Sequence, residues 1–332
     1  MSIFTRIPLI TGLFISHCSI LKAQQVPDTS AHHLLADSTM SDSLYKTVDS
    51  AQAVVAMYPA DSVLVIKKKS YLMAGLSYMN NNVYLGRKDS ARLPYLTFTL
   101  GYYFKSGFFI DGSLNYLASS DSRIDGVNFD AGYSFTAGKY SGEAAFSKYF
   151  YSSQSTNVKS AVKSSLSYFN SYDFGFITPT FTAFLNFGDK TDFGGILGLE
   201  HTFYALDDKL DVTPTFTANA STQNYYNNYY KTRRYTIKRK NKAPVTGVAN
   251  VTGIVEDASH LKVLDYEASL PIDYTAGRFI FSANPVYAFP VNPSIVQVTT
   301  TKANNTSTTR TNTEKIKNTF FITVGVTYKF KK

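Results

Sequence analysis

Three sets of residues in this 332-residue chain have the types and spacing to do chemistry. The first is acidic. Asp111, Asp130, Glu143, Glu200, Asp211, Asp265, Glu267 and Asp273 fall on the polar side of stretches where apolar and polar residues alternate. Around a water-filled bore they favour cations. In a packed interior they pair with bases instead, and Lys159 and Lys163 are the chief candidates, with their facing left open. The second set is aromatic and basic: Tyr229, Tyr230, Arg233, Arg234, Lys238, Arg239 and Lys240 form a candidate surface for an anionic ligand. The same residues also read as a solvated, charge-rich loop. Nucleic acid is not expected there, because attraction to phosphate alone specifies nothing.

The third set is the histidines. His32 and His33 lie in a polar N-terminal stretch, and with Asp28 and Asp37 they read as a tail rather than a metal site. His260 sits beside Glu256 and Asp257, and His201 lies in an apolar segment, but neither belongs to a hydrolase motif such as His-x-Ser-Asn-Gly. No glycine-rich phosphate loop precedes a helix. No catalytic residue, metal or cofactor is therefore expected.

What must position these residues is a series of strands. Residues 126–137 place Val127, Phe129, Ala131, Tyr133 and Phe135 opposite Asn128, Asp130, Gly132, Ser134 and Thr136. A period of two is a strand, and here one face is lipid-like and the other watery. The same pattern predicts strands near 63–79, 94–104, 108–118, 140–150, 160–169, 174–185, 193–204, 210–220, 262–274 (with Leu264 beside Tyr266 on the apolar face) and 279–289. The last, 319–330, sets Phe320, Ile322, Val324, Val326, Tyr328 and Phe330 against Phe321, Thr323, Gly325, Thr327 and Lys329.

The connections alternate. Short turns are expected at 105–107, 137–139, 170–173, 205–209 and 275–278, and longer loops at 80–93, 119–125, 151–159, 186–192, 221–261 and 290–318. Pro179, Pro214, Pro271 and Pro285 fall inside these strands and predict bulges or strand ends, because proline donates nothing to a ladder. The Tyr235–Lys238 alternation predicts a hairpin within 221–261, and the Thr- and Asn-rich segment 290–318 reads as a mobile surface loop.

Composition agrees. The chain holds 25 Tyr and 25 Phe and no Trp, and no apolar run after the N-terminus reaches the length of a spanning helix. A membrane protein built without such helices must close its strands into a barrel. Residues 1–23 read as a signal peptide, with Arg6, an apolar stretch from Ile7 to Ile15 and Ala23 before the cut. The alternative, a lipid-modified Cys18, is disfavoured by bulky His17 before it. Cys18 is the one cysteine, so removal of the leader excludes disulfide and thiol chemistry, and it also takes Arg6 and Lys22 from a net charge of +9. Residues 24–62 are expected to be a periplasmic extension, with one short helix over 43–57, or else a plug; 63–332 is the barrel.

The Gln24-Gln25 pair after the leader, the aromatic alternation and a last strand ending Tyr328-Lys329-Phe330 resemble outer-membrane β-barrels of the Bacteroidota type, over about 63–332 and without a family-specific motif. The resemblance implies an all-β, up-and-down antiparallel transmembrane barrel of about twelve strands in the cell outer membrane, with short periplasmic turns and long external loops. It implies lipid and lipopolysaccharide as surroundings, and a barrel assembly machinery that reads Phe320, Tyr328 and Phe330. Lys331 and Lys332 depart from the pattern, since such barrels end on the aromatic. Barrels of about 8 strands are filled by side chains and those of about 16 leave a channel, so twelve lies between. Inward Gly101, Gly132, Ser134, Gly194 and Gly198 lower the filling volume and favour a narrow channel for small hydrophilic or cationic solutes. The alternative is a filled barrel whose basic external loop 225–242 binds lipopolysaccharide, acidic glycan or a partner protein.

Overall fold

The computed structural model describes residues 70–89, 91–229, 248–302 and 305–330. The leader, the 24–62 extension with its expected helix, the 235–238 hairpin, and Tyr230, Arg233, Arg234, Lys238, Arg239 and Lys240 lie outside the described residues.

Alternation produces a wall of long strands: β1 (Tyr71–Met79), β2 (Tyr95–Tyr103), β3 (Phe108–Leu117), β4 (Arg123–Ala137), β5 (Tyr140–Tyr151), β6 (Ser164–Tyr172), β7 (Thr178–Phe187) and β8 (Thr191–Glu200). The chain continues through β9 (Phe203–Ala205), β10 (Leu210–Val212) and β11 (Thr215–Ser221). A short helix α1 (Asn224–Tyr229) and β12 (Val248–Val255) precede β13 (Lys262–Ser269), β14 (Ile272–Ala276) and β15 (Phe279–Pro290). Strands β16 (Ile295–Lys302), β17 (Ser307–Thr313) and β18 (Thr319–Phe330) complete the described chain. Each wall strand pairs antiparallel with its neighbour, and β1 pairs with β18, from Leu72 opposite Phe330 to Met79 opposite Thr323. Counting β8–β9, β10–β11 and β13–β14 as single interrupted strands, the ring has the twelve strands expected, closed with no free edge.

The faces sort as the alternation predicts. On β2, Leu96, Phe98 and Leu100 are exposed outward, while Tyr95, Thr97, Thr99 and Tyr103 are buried inward. Exposed large apolar residues continue round the wall at Ile110, Phe129, Phe146, Leu197, Phe216 and Phe320. A belt of that extent is stable against hydrocarbon rather than water, which makes this a transmembrane barrel.

Several boundaries and facings differ from the sequence reading, each for a local reason. Residues 158–161 form a single 3-10 turn, capped by Asn157 Oδ1 accepting from Lys159 N at 2.9 Å, so β6 starts later and the next turn moves to 173–177. The connection 188–190 is consequently short, an exception to the alternation of long and short connections. Leu264 is fully buried rather than outward, because a register shift at Asn219/Ala220 leaves an extra residue on β13. Pro214 and Pro271 sit between β10 and β11 and between β13 and β14, and Pro285 lies where β15 passes from β14 to β13. The three prolines form a seam where the ladder is already broken. The 290–318 segment is no mobile loop: β16 and β17 pair as a hairpin, and β12 adds to it as a three-stranded sheet.

Gly132 shows how the interior is fitted. A Cβ there would meet Phe109 Cζ and the Ala144 carbonyl oxygen, each at 2.5 Å. The far edge of the Phe109 ring therefore fills the space over that glycine. Gly132→Val is expected to lose about 1–3 kcal/mol by overpacking, read as a lower urea midpoint for refolding in detergent. Outward Ala131→Val serves as the neutral control, and equal midpoints for the two would show that the ring is not held there.

Candidate functional site

The strands carry all eight predicted acids to the inner face. Asp111, Asp130, Glu143, Glu200, Asp265, Glu267 and Asp273 are buried, and Asp211 is half-buried. The register brings them into groups. Asp111 lies directly opposite Asp130, and Glu143 on the next strand is within electrostatic range of both. Asp265 and Glu267 are successive inward residues of β13, where Asn219 Nδ2 donates to Asp265 Oδ1 at 3.0 Å. Asp211 faces Asp273 across β10 and β14, while Glu200 stands between Thr178 and Thr215. Ser113, Asn128, Ser147, Ser165, Thr182 and Thr217 fill much of the wall between them.

Over this wall, at the end carrying the longer connections, sits a lid. The 80–93 connection turns inward, and Tyr84 and Arg87 close its tip with paired backbone bonds of 2.8 and 2.9 Å. Leu85 and Gly86 hold positive φ, the conformation a two-residue hairpin turn requires. Gly86 has no room for a side chain, since a Cβ would come within 2.7 Å of Asp265 Cβ. The tip thus reaches β13, while across the mouth Asn186 Nδ2 donates to Tyr84 Oη at 2.7 Å.

Arg87 fastens the tip. Its side chain is fully buried, donates to the carbonyls of Val291 and Asn292 at 3.0 and 2.8 Å, and pairs with Glu314 at 3.2 Å. Glu314 also accepts from the Tyr226 hydroxyl and from Ser294 N. Around this staple pack Tyr84, Leu85, Tyr225, Tyr226, Leu264 and Val296 from separate segments. Burial pushes the Tyr84 and Tyr225 phenols well above their ordinary range, so both remain protonated. Asp192 holds the start of α1, accepting from Asn224 N and Tyr225 N at 2.6 and 2.7 Å.

Sequence reasoning missed Arg87. The available signal was Val83-Tyr84-Leu85-Gly86, apolar residues and a glycine in a connection otherwise expected to be solvated. It also missed Asp125, which accepts from Tyr95, from Ser155 Oγ at 2.7 Å and from Arg123 Nε at 3.0 Å, tying the 152–157 segment to the rim. Of the candidate bases, Lys163 is exposed and pairs with Asp189 at 2.9 Å, while Lys159 turns into the mouth. Tyr229 ends α1. His260 is mostly exposed and lies 3.6 Å from Asp257, and Glu256 accepts from Gln297, so the trio does not converge. His201 lies edge-on to Phe203 at 4.6 Å. On β18, Phe320 and Phe330 are exposed and Tyr328 packs on Phe279 at 4.9 Å.

No family model and no curated protein matches the chain. Solved structures similar to it include a KdgM porin (9% identity, 78% of this chain and 99% of that one, TM-score 0.40) and a NanC porin (9%, 78% and 100%, 0.41). Another is LpxR from Salmonella typhimurium (9%, 77% and 99%, 0.37). At TM-scores of this size none of these likenesses bears on what the chain does.

Removing one partner of a buried ion pair costs about 3–5 kcal/mol because the other is left uncompensated. Arg87→Ala is therefore expected to release the lid while the barrel persists. The check is limited trypsin digestion of folded protein, with new cuts at Lys88, Arg92 and Lys315 and unchanged heat-dependent gel migration. Protection equal to the parent protein would refute the staple.

Proposed function

We propose that this chain is an outer-membrane channel for small hydrophilic solutes with a preference for cations, held closed at its external mouth by the 80–93 connection. The observation that carries this reading is the inner face: eight acids distributed round the wall, separated by Ser, Thr and Asn. Directing carboxylates into a bore costs several kcal/mol each unless water, cations or bases reach them. Orientation follows from the connections, since barrels of this kind keep longer loops outside and short turns in the periplasm. The described ends of the 221–261 connection then stand at the outer leaflet, where lipopolysaccharide supplies phosphate. Lys148, outward and 5.7 Å from the Phe150 ring, is placed to snorkel toward the same layer. The aromatic face of β18 is the surface a barrel assembly machinery would read.

A second reading is favoured by the lid itself. Tyr225 and Tyr226 open the 221–261 connection and are buried among the lid residues. A ligand held by the basic part of that connection would bear directly on the lid, and the barrel would then act as a binding protein rather than a conduit.

Planar-bilayer recording under a salt gradient separates the two. The parent protein should open rarely and with cation selectivity. Arg87→Ala should raise the open fraction severalfold, and the Asp111→Asn, Asp130→Asn, Glu267→Gln triple variant should lose most of the selectivity. A correctly folded Arg87→Ala barrel that stays silent overturns the channel and leaves the binding reading.

A further inference from the structure

Beneath the inserted tip, against the wall of β2 to β5, lies a cavity of about 50 Å³. At about 10–15 Å³ per water-sized group, it takes three to five such groups. Its lining differs in kind from the acidic wall. Tyr84, Tyr95, Tyr149 and Tyr151 contribute rings, Asn82, Asn115, Asn128 and Asn157 contribute amides, and Lys159 is the charged member. No carboxylate lines it among the described residues.

The polar groups are fixed in orientation. Thr97 Oγ1 donates to Asn115 Oδ1 at 2.8 Å, and Asn115 Nδ2 donates to Asn128 Oδ1 at 2.8 Å, a relay across three adjacent strands. An amide has two hydrogens and two lone pairs, so Asn115 keeps one of each beyond this relay. Lys159 Nζ donates to Tyr149 Oη at 2.9 Å and lies 4.1 Å from that ring and 5.6 Å from the Tyr84 ring. Asn82, Asn115, Tyr151 and Lys159 are partly buried, while Tyr84, Tyr95, Thr97, Asn128, Tyr149 and Asn157 are buried.

We infer that this cavity is a sugar subsite, taking the edge of a hydroxyl-rich ring between the tip and the wall. Oriented amides match vicinal hydroxyls, each of which donates and accepts. Phenol rings beside them match the C–H face of a pyranose. An acyl chain would leave the remaining donor and acceptor of Asn115 unpaired, and without a carboxylate the cavity offers an inorganic cation nothing that the acidic wall does not offer better. The inference rests on the channel reading in that it names a solute class that the mouth selects.

The test is calorimetric titration of glucose into the full-length refolded protein in detergent, run beside bilayer recordings of the same preparation with glucose on the external side. Saturable binding is expected, weakened about tenfold in Asn115→Leu, because a site built to bond hydroxyls loses heavily when a polar partner is removed. Tyr151→Leu tests the ring contact independently if Asn115→Leu does not fold. Binding by a barrel that never conducts would sustain the subsite and sink the channel. A conducting barrel with no saturable glucose binding, or with binding unchanged in both variants, would sink the subsite alone.

Discussion

The pairing of β1 with β18 is the contact on which the rest depends. In hydrocarbon an unpaired backbone amide or carbonyl costs several kcal/mol, so a sheet survives there only if its two ends meet. That closure spans eight residue pairs, from Leu72 with Phe330 to Met79 with Thr323. Once the ring is closed, the two faces of every strand have opposite solvents, and a slip of one residue would turn Phe320, Val324 and Phe330 inward and Thr327 toward lipid. Register is therefore enforced by solvation, strand by strand. The exceptions sit where the ladder is interrupted: the proline seam at Pro214, Pro271 and Pro285, and the bulge that turns Leu264 inward.

Closure has a second consequence. A polar inner face needs partners, and at the mouth with the longer connections those connections supply them by folding back. Arg87 reaches carbonyls at the end of β15 that no strand continues to satisfy, and in doing so meets Glu314 from the connection after β17. The interaction links segments more than two hundred residues apart in sequence. Because it is buried, its strength and its vulnerability have one origin: either partner alone would be a desolvated charge.

These physical differences explain what was legible beforehand. The wall strands declared themselves because lipid and water impose a period of two that survives any choice among Leu, Phe, Ile or Tyr. The eight acids were legible as inward residues for the same reason. The lid was not, since its parts are brought together by tertiary contact rather than by periodicity. The Thr- and Asn-rich 290–318 segment has too few apolar residues to suggest a core, yet threonine is a good strand former and Thr299 pairs with Thr309 through hydroxyls at 2.9 Å. Its stability comes from β12 and from Val296 in the lid, neither visible in its own composition. The sequence signal at Val83-Tyr84-Leu85-Gly86 was local and strong, but nothing local says whether such a tip turns into the bore or packs above it.

The mouth carries two kinds of chemistry, and their placement around the tip matters. Acids alone would concentrate cations at any opening, with little discrimination among them. The amide and phenol cavity lies beneath the tip on the β2–β5 side, while Asp265 meets the same tip at Gly86 on the β13 side, so oriented hydrogen bonds and charge stand side by side at the mouth. Hydrogen bonds select by geometry and charge selects by sign. On the proposed channel reading, a mouth that offers both tests shape and sign together. The Tyr84 ring is common to both parts, lining the cavity on one side and packing into the lid on the other. On the proposed reading, a solute that displaced that ring would act on the lid through the same tip that Arg87 fastens. Solute recognition and release of the tip would then be joined in four consecutive residues, Tyr84 to Arg87, which the paired backbone bonds hold together.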